Sequence, residues 1–201
     1  MYDKIVQKST IFWDDNMTVA CCRTFILMFA ITYFFCATPL AAQQPLLSPR
    51  DSSQIIISGK KIAVNYGKPS MRGRKIMGEL VPYTRWWRTG ANEATAFTSE
   101  ADLEMNGVLV PKGAYTLYTL PSEKQWKLII NKQTGQWGTT YNPELDLARI
   151  NLNKKMLKSP VEKLAITFEK NGNGVGILKI EWELTSLSIP FKVKNRERNA
   201  N

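Results

Sequence analysis

Histidine is absent from the whole chain of 201 residues. That removes Ser-His-Asp and Cys-His catalysis, histidine-ligated zinc and the commonest general base near neutral pH. Cysteine is nearly absent: there are three, Cys21, Cys22 and Cys36, all close to the N-terminus. No apolar run reaches the roughly 20 residues that a membrane-spanning helix needs. The longest is "FILMFAITYFF", Phe25 to Phe35, at 11 residues. Acidic residues are few, 17 against 27 basic ones, for a net charge of +10. No P-loop or dinucleotide fingerprint occurs. "GKPSMRGRK" is basic and contains glycine but has the wrong spacing.

The short apolar run explains the cysteines. Arg23 precedes it and "ATPLAAQQP" follows. A basic start, a short apolar centre and a small-residue exit form the pattern of a secretory signal peptide. We expect cleavage near Ala41 or Ala42, so that the protein is exported, periplasmic or extracellular, and touches the membrane only through that segment. The 16 residues before Met17 are long for such a leader, and Met17 is the expected true start. Residues 1–42 then form extension plus signal, and the mature chain keeps no cysteine. It depends on no disulfide and no thiol chemistry. About 159 residues remain, enough for one domain to bury an adequate core. The leader holds three basic and three acidic residues, so the mature part keeps the excess of +10. In an exported protein that excess suits envelope phosphates, acidic glycans or a carboxylate ligand, or simply serves solubility. Export argues against nucleic acid as the partner.

Residues 43–53 read as a linker, 54–193 as one domain, and 194–201, "KNRERNAN", as a polar tail. Within the domain the dominant period is two. Ile62, Val64 and Tyr66 alternate with smaller or polar residues, as do Trp126, Leu128 and Ile130. Ala148, Ile150 and Leu152 repeat the pattern, and so do Leu164, Ile166 and Phe168. These are half-buried strands. Near the C-terminus the apolar set is Leu178, Ile180, Trp182 and Leu184, then Leu187, Ile189, Phe191 and Val193. That change of parity demands a bulge or, as we favour, a tight turn at Thr185-Ser186. Pro190 then marks an edge strand. Asn106-Gly107 predicts a two-residue hairpin. Pro111 to Gly113 suits a type I turn, and Asn171 to Gly174 joins two further strands. The expectation is an all-β fold, an antiparallel β-sandwich or partly open barrel of about nine short strands. Helix is limited to one turn near Pro160 to Lys163.

Tyr66 to Arg85 breaks the rhythm, with three glycines, two prolines and five cations, and Glu79 as the sole acid. A connection of that length is usually functional or partly disordered. It feeds into "RWWRTGANEATAF", Arg85 to Phe97. There Arg88 offers a planar fork for a carboxylate or phosphate, and Glu93 is the nearest carboxylate in sequence. One reading pairs Arg88 with Glu93 to brace a turn, with Gly90 supplying an unusual backbone angle and Asn92 satisfying the turn. The other sets Arg74, Arg88, Asn92 and Glu93 around a pocket with a Trp wall. Trp86 and Trp87 point to opposite faces of an extended segment, so one of them is at least partly exposed or lies under the loop. A second aromatic, Trp137, sits between Gly135 and Gly138 in "TGQWGTTY" with Tyr141 close by. It either stacks on a sugar or plugs an open end of the sandwich.

These stretches are familiar together. "RGRKIMGELVPYTRWWRTGANEATAFT", "VPKGAYTLYTLP", "WKLIINKQTGQWG" and "LKIEWELTSLSIPF" resemble the bacterial domain-of-unknown-function family 2911 over roughly residues 50–193. The resemblance implies an exported protein with these domain boundaries. It implies no catalytic residues, because the family has no assigned activity. Trp86 stands where the resemblance implies a smaller aliphatic residue.

Three functions follow. The favoured one is a module that binds an anionic or carbohydrate ligand, such as an envelope glycan, through region 68–93. Its candidate residues are Arg72, Arg74, Trp87, Arg88, Asn92, Glu93 and Trp137, with no cofactor and no metal. Asn142, Glu144 and Asp146 are oxygen donors, but they lack an EF-hand pattern. The second is a hydrolase or lyase with Glu93 as acid or base, which needs a second carboxylate such as Glu79 or Asp102 nearby. The third is an envelope interaction domain that uses a sheet edge near Pro190.

Overall fold

The structure, a computed structural model, describes residues 47–172 and 174–194. The expected signal segment, its cysteines, the start of the linker and nearly all of the polar tail lie outside the described residues. The alternating pattern becomes ten strands. β1 (Arg50–Ile57), β2 (Lys60–Gly67), β3 (Thr95–Ser99), β6 (Gly113–Leu120), β7 (Lys127–Asn131) and β8 (Asp146–Asn151) form one antiparallel sheet, in the order β1-β2-β3-β6-β7-β8. β4 (Asp102–Met105), β5 (Val108–Val110), β9 (Asn153–Lys170) and β10 (Val175–Lys194) form the other, in the order β5-β4-β10-β9. Neither sheet closes into a barrel, so the fold is a β-sandwich. β1 already begins at Arg50, inside the expected linker.

The core lies between the sheets. Ile62, Val64, Phe97, Leu117, Leu128 and Ile130 come from the first sheet, joined by Trp126 just before β7, and Leu103, Leu164, Ile166, Leu178, Trp182, Ile189 and Phe191 from the second. Each set follows the two-residue period that turns alternate side chains inward. The Asn106-Gly107 hairpin forms as expected between β4 and β5, with both residues at positive φ, 47° and 81°.

Three expectations need correction. Thr185-Ser186 is not a turn: β10 runs unbroken, and its register against β9 shifts on either side of Glu183. Glu183 takes φ 54°, the left-handed conformation of a β-bulge. This one residue converts the inward set from Leu178, Ile180 and Trp182 to Thr185, Leu187, Ile189 and Phe191. Leu184 is left half-buried. Second, Pro190 is not on an edge strand, because β10 lies between β4 and β9. It falls between Ser188, the last partner of β9, and Phe191, the first partner of β4. The strand changes neighbours there, and the missing N–H breaks no ladder. Third, Pro160 to Lys163 belongs to β9, an edge strand where proline is tolerated. Among the described residues the one helical turn is instead a 3-10 turn at Pro143–Leu145, capped by Asn142 Oδ1, which accepts from Glu144 N at 3.0 Å. The ten strands among the described residues agree with the expected sandwich of about nine.

The long connection between β2 and β3 is ordered and shares the core. Ile76 and Val81 are fully buried and Met77 nearly so. Met71 N donates to Glu162 O at 2.8 Å, and Leu164 N donates to Pro69 O at 2.9 Å, so residues 69–71 cover part of the free edge of β9. Glu183 completes the attachment by accepting Ile76 N and Met77 N on its two carboxylate oxygens, each at 3.1 Å.

Candidate functional site

The two tryptophans separate as the alternation requires. Trp87 exchanges two backbone hydrogen bonds with Thr119, at 2.8 and 2.9 Å, and so continues the lane of β3 beside β6. Its indole points inward and stacks on Trp182, with ring centres 5.8 Å apart and planes 18° apart. Trp86 points outward and remains 37% exposed. It meets Tyr118 edge-on at 5.5 Å and Tyr141 at 4.9 Å. The Tyr141 hydroxyl donates to Asp146 at 2.7 Å and accepts from Arg149 at 3.1 Å. Burial, reinforced by Asp146, pushes that phenol up to about 12.

The turn after Trp87 depends on small and strained residues. Thr89 and Asn92 carry the positive φ values, 53° and 61°. Gly90, expected to supply the unusual angle, is not among the positive-φ residues. It is needed for space, because a Cβ there would lie 2.8 Å from Thr95 Oγ1. Thr95 Oγ1 lies 3.0 Å from Thr89 O, to which it donates, and so locks the turn in the interior.

The structure brings together the two stretches that stood out in the sequence. Ala94 N donates to Gln136 O at 3.1 Å, and Gly138 N donates to Asn92 O at 2.9 Å. Between them Glu93 and Trp137 pair as an isolated antiparallel bridge. Arg88 lies against Gly138, where a Cβ would come within 2.6 Å of both Arg88 Cδ and Asn92 O. Arg88, Asn92, Glu93 and Trp137 are therefore neighbours. Arg88 does not pair with Glu93, however: its Nε donates to Gly90 O at 3.3 Å. Glu93 pairs with Arg50, whose Nη1 lies 3.5 Å from the carboxylate and 3.3 Å from Glu93 O. Asn92 Nδ2 donates to Ser48 O at 3.2 Å. Trp137 is 51% exposed.

Arg72 and Arg74 lie outside this junction. Arg74 folds back on its own turn, donating to Met71 O and Ser70 O at 2.9 and 2.8 Å. Arg72 reaches Leu47 O at 2.9 Å and lines a groove of about 490 Å³ together with Arg50, Asp51, Lys68, Ser70 and Lys163. That groove lies where β1 and β9, the flanking strands of the two sheets, approach each other under the long connection. It holds four cations and one carboxylate. Asp51 is already committed, its Oδ2 lying 2.7 Å from Lys68 Nζ. The bond holds Asp51 below the usual carboxylate range and raises Lys68. Glu93 and Glu162, outside the lining, engage Arg50 and the Arg72 backbone N–H, and counting them still leaves cations in excess. Two other surface grooves, at Ser52 to Thr98 and at Ile56 to Val175, have one cation each in their lining.

Arg50, Asp51, Lys68 and Lys163 were not among the sequence candidates. Arg50 and Asp51 fell in the expected linker, and Lys163 joins the others only through the topology of β9. No local signal marks such a convergence. The other two candidate carboxylates have contacts of their own. Glu79 pairs with Lys75 at 3.4 Å. Asp102 follows β3 and Glu93 precedes it, so the strand's length of about 16 Å lies between them. Among the described residues no cluster of three or more acidic, His or Cys side chains could hold a metal.

A family model described as "Protein of unknown function (DUF2911)" matches residues 48–191, a range that takes in every strand except the last residues of β10. The chain belongs to the DUF2911 family. The match encloses the Trp87–Trp182 stack, the Glu93–Trp137 junction and, apart from Leu47, the whole lining of the basic groove of this DUF2911 domain. No curated protein and no solved structure matches the chain.

Proposed function

We propose that this DUF2911 protein is an exported binding module for an anionic ligand, held in the groove of Arg50, Lys68, Arg72 and Lys163. The observation that carries this reading is the convergence of four cations from three separate chain segments on one 490 Å³ concavity whose one lining carboxylate is tied to Lys68. Its volume falls within the range of small-ligand sites, about 300–1,000 Å³. Guanidinium groups suit carboxylate, sulfate and phosphate oxygens, and the ammonium groups add charge. The hydrolase reading gains nothing from Glu93, whose charged neighbour is a guanidinium rather than a second carboxylate. The interaction-domain reading loses its edge at Pro190, which sits in a central strand.

Calorimetric titration with sodium sulfate and with galacturonate tests the proposal. Binding is expected, with several-fold loss in Arg72→Ala and in Lys163→Ala and melting temperatures near wild type. Absence of binding to both anions at millimolar concentration would overturn it.

A further inference from the structure

The groove has a continuation, and the continuation has a different chemistry. Partners in an antiparallel bridge send their side chains to the same side. Glu93 and Trp137 are such partners, so the indole and the carboxylate share one face. Arg50 joins that face to the groove, because it lines the groove and reaches Glu93 at 3.5 Å. A half-exposed tryptophan, an exposed carboxylate–guanidinium pair and a cationic groove therefore follow one another along the surface.

Trp137 is held in place. Its flanking residues are clamped by Ala94 N to Gln136 O and by Gly138 N to Asn92 O, and its own carbonyl accepts Thr140 N at 2.9 Å. An exposed large apolar side chain on a fixed backbone is the informative kind of exposure, and its ordering cost is met before any ligand arrives. An indole offers a flat apolar face with one polar edge. The ligand complementary to that face has apolar C–H bonds on one side and hydroxyls around its rim. Glu93 accepts from such hydroxyls and Arg50 donates to them.

We infer that the ligand is an acidic oligosaccharide of at least two units, one sugar stacked on Trp137 beside Glu93 and Arg50, the next unit's acid group in the groove at Lys68, Arg72 and Lys163. This deepens the anion-binding reading and rests on it. A free inorganic anion uses the groove alone and is repelled by Glu93. A neutral glycan uses Trp137 and leaves the cations unspent. Only a chain with both features satisfies both halves of the surface.

The test titrates the full chain with sulfate, galacturonate, tetragalacturonate and neutral maltotetraose, in wild type, Trp137→Ala and Arg72→Ala, with a melting curve for each. Trp137→Phe serves if Trp137→Ala does not fold. The tetramer is expected to bind at least about tenfold tighter than the single uronate. Trp137→Ala should remove about that factor for the tetramer and leave sulfate unchanged. Arg72→Ala should weaken sulfate and tetramer alike. If Trp137→Ala binds tetramer like wild type, if length makes no difference, or if maltotetraose binds equally well, the oligosaccharide inference fails. The groove reading then still stands on sulfate binding lost in Arg72→Ala. If neither sulfate nor any uronate binds, the groove reading fails and takes this one with it.

Discussion

Glu183 holds the backbone N–H groups of Ile76 and Met77 on its two carboxylate oxygens, at 3.1 Å each. It does so from a bulge at φ 54°, and without the bulge the strand would run straight past the connection. The residue that corrects the parity of β10 thus also anchors the segment that carries Lys68 and Arg72. Two effects are separable by mutation. Glu183→Ala loses the charged acceptor, about 1.5–3 kcal/mol, and keeps the backbone strain. Glu183→Gly loses the same acceptor but relieves roughly 1 kcal/mol of that strain. Urea unfolding is expected to rank wild type first, Gly second and Ala third. An Ala variant as stable as wild type would show that the two hydrogen bonds contribute nothing.

Gly138 tests the junction. A methyl there meets Arg88 Cδ, which can move, and Asn92 O, which is backbone, both at 2.6 Å. Gly138→Ala should cost about 1–3 kcal/mol, as overpacking does, and should loosen Trp137. Gly107 is the control: an added Cβ there has no neighbour within 4 Å, so only the strain of its φ of 81° remains. Equal melting temperatures for Gly138→Ala and wild type would mean that the segments are not in contact.

The Asp51–Lys68 pair sets a pH dependence on both sides. Lys68 lowers the Asp51 carboxyl, so the stabilisation is present above the unfolded value of about 3.9. It is lost as pH falls through the lowered folded value. Lys68 is raised by the same bond. Its contribution is full below about 10.4 and disappears as pH climbs past the raised value. Both side chains are about a third exposed, 38% and 32%, so the effect should be no more than about 1 kcal/mol. Asp51→Asn should flatten the acid limb of stability between about pH 5 and 2 and, by freeing Lys68, tighten sulfate binding at neutral pH. Unchanged sulfate affinity in Asp51→Asn would separate Lys68 from the site.

Opposite orientations of adjacent indoles predict opposite phenotypes. Trp87→Ala removes a ring stacked on Trp182 and should cost about 3 kcal/mol or more. Trp86→Ala opens one side of the Tyr118–Tyr141 cluster at the surface and should cost less. Acrylamide quenching supplies a second readout, since Trp86 and Trp137 are the exposed indoles among the described residues. Each substitution at those two positions should reduce the quenchable fraction, while Trp87→Ala leaves it in place. A Trp87→Ala variant that melts with wild type would undo the stack's role.

The fold was largely legible because one rule, alternation, governs nearly all of it. Trp126, Leu128 and Ile130, or Leu164 and Ile166, lie where a period of two puts them. The rule fails where a single residue changes phase. A parity break is visible at Glu183 to Leu187, but a turn and a bulge produce the same break. Only the ladder to β9 decides between them. Pro190 shows the same ambiguity, since a missing N–H fits an edge and also fits a change of neighbour. At the site, Trp137 and the Arg88 to Glu93 stretch were visible as odd compositions. Their contact was not, and neither was Arg50 as the partner of Glu93, because pairing over 43 positions depends on which strands lie together.

The attachment of the long connection also fixes an order of events during synthesis. Ile76 and its acceptor Glu183 are 107 positions apart. Contacts of that separation are costly to close and slow to form. As the chain leaves the ribosome, Lys68 and Arg72 emerge early, yet Glu183, which anchors the connection at Ile76 and Met77, arrives only with β10. A nascent chain halted before β10 would hold every cation of the groove but lack both Glu183 and the strand that β9 pairs with. The attachment of the connection is therefore complete only when β10 pairs with β9.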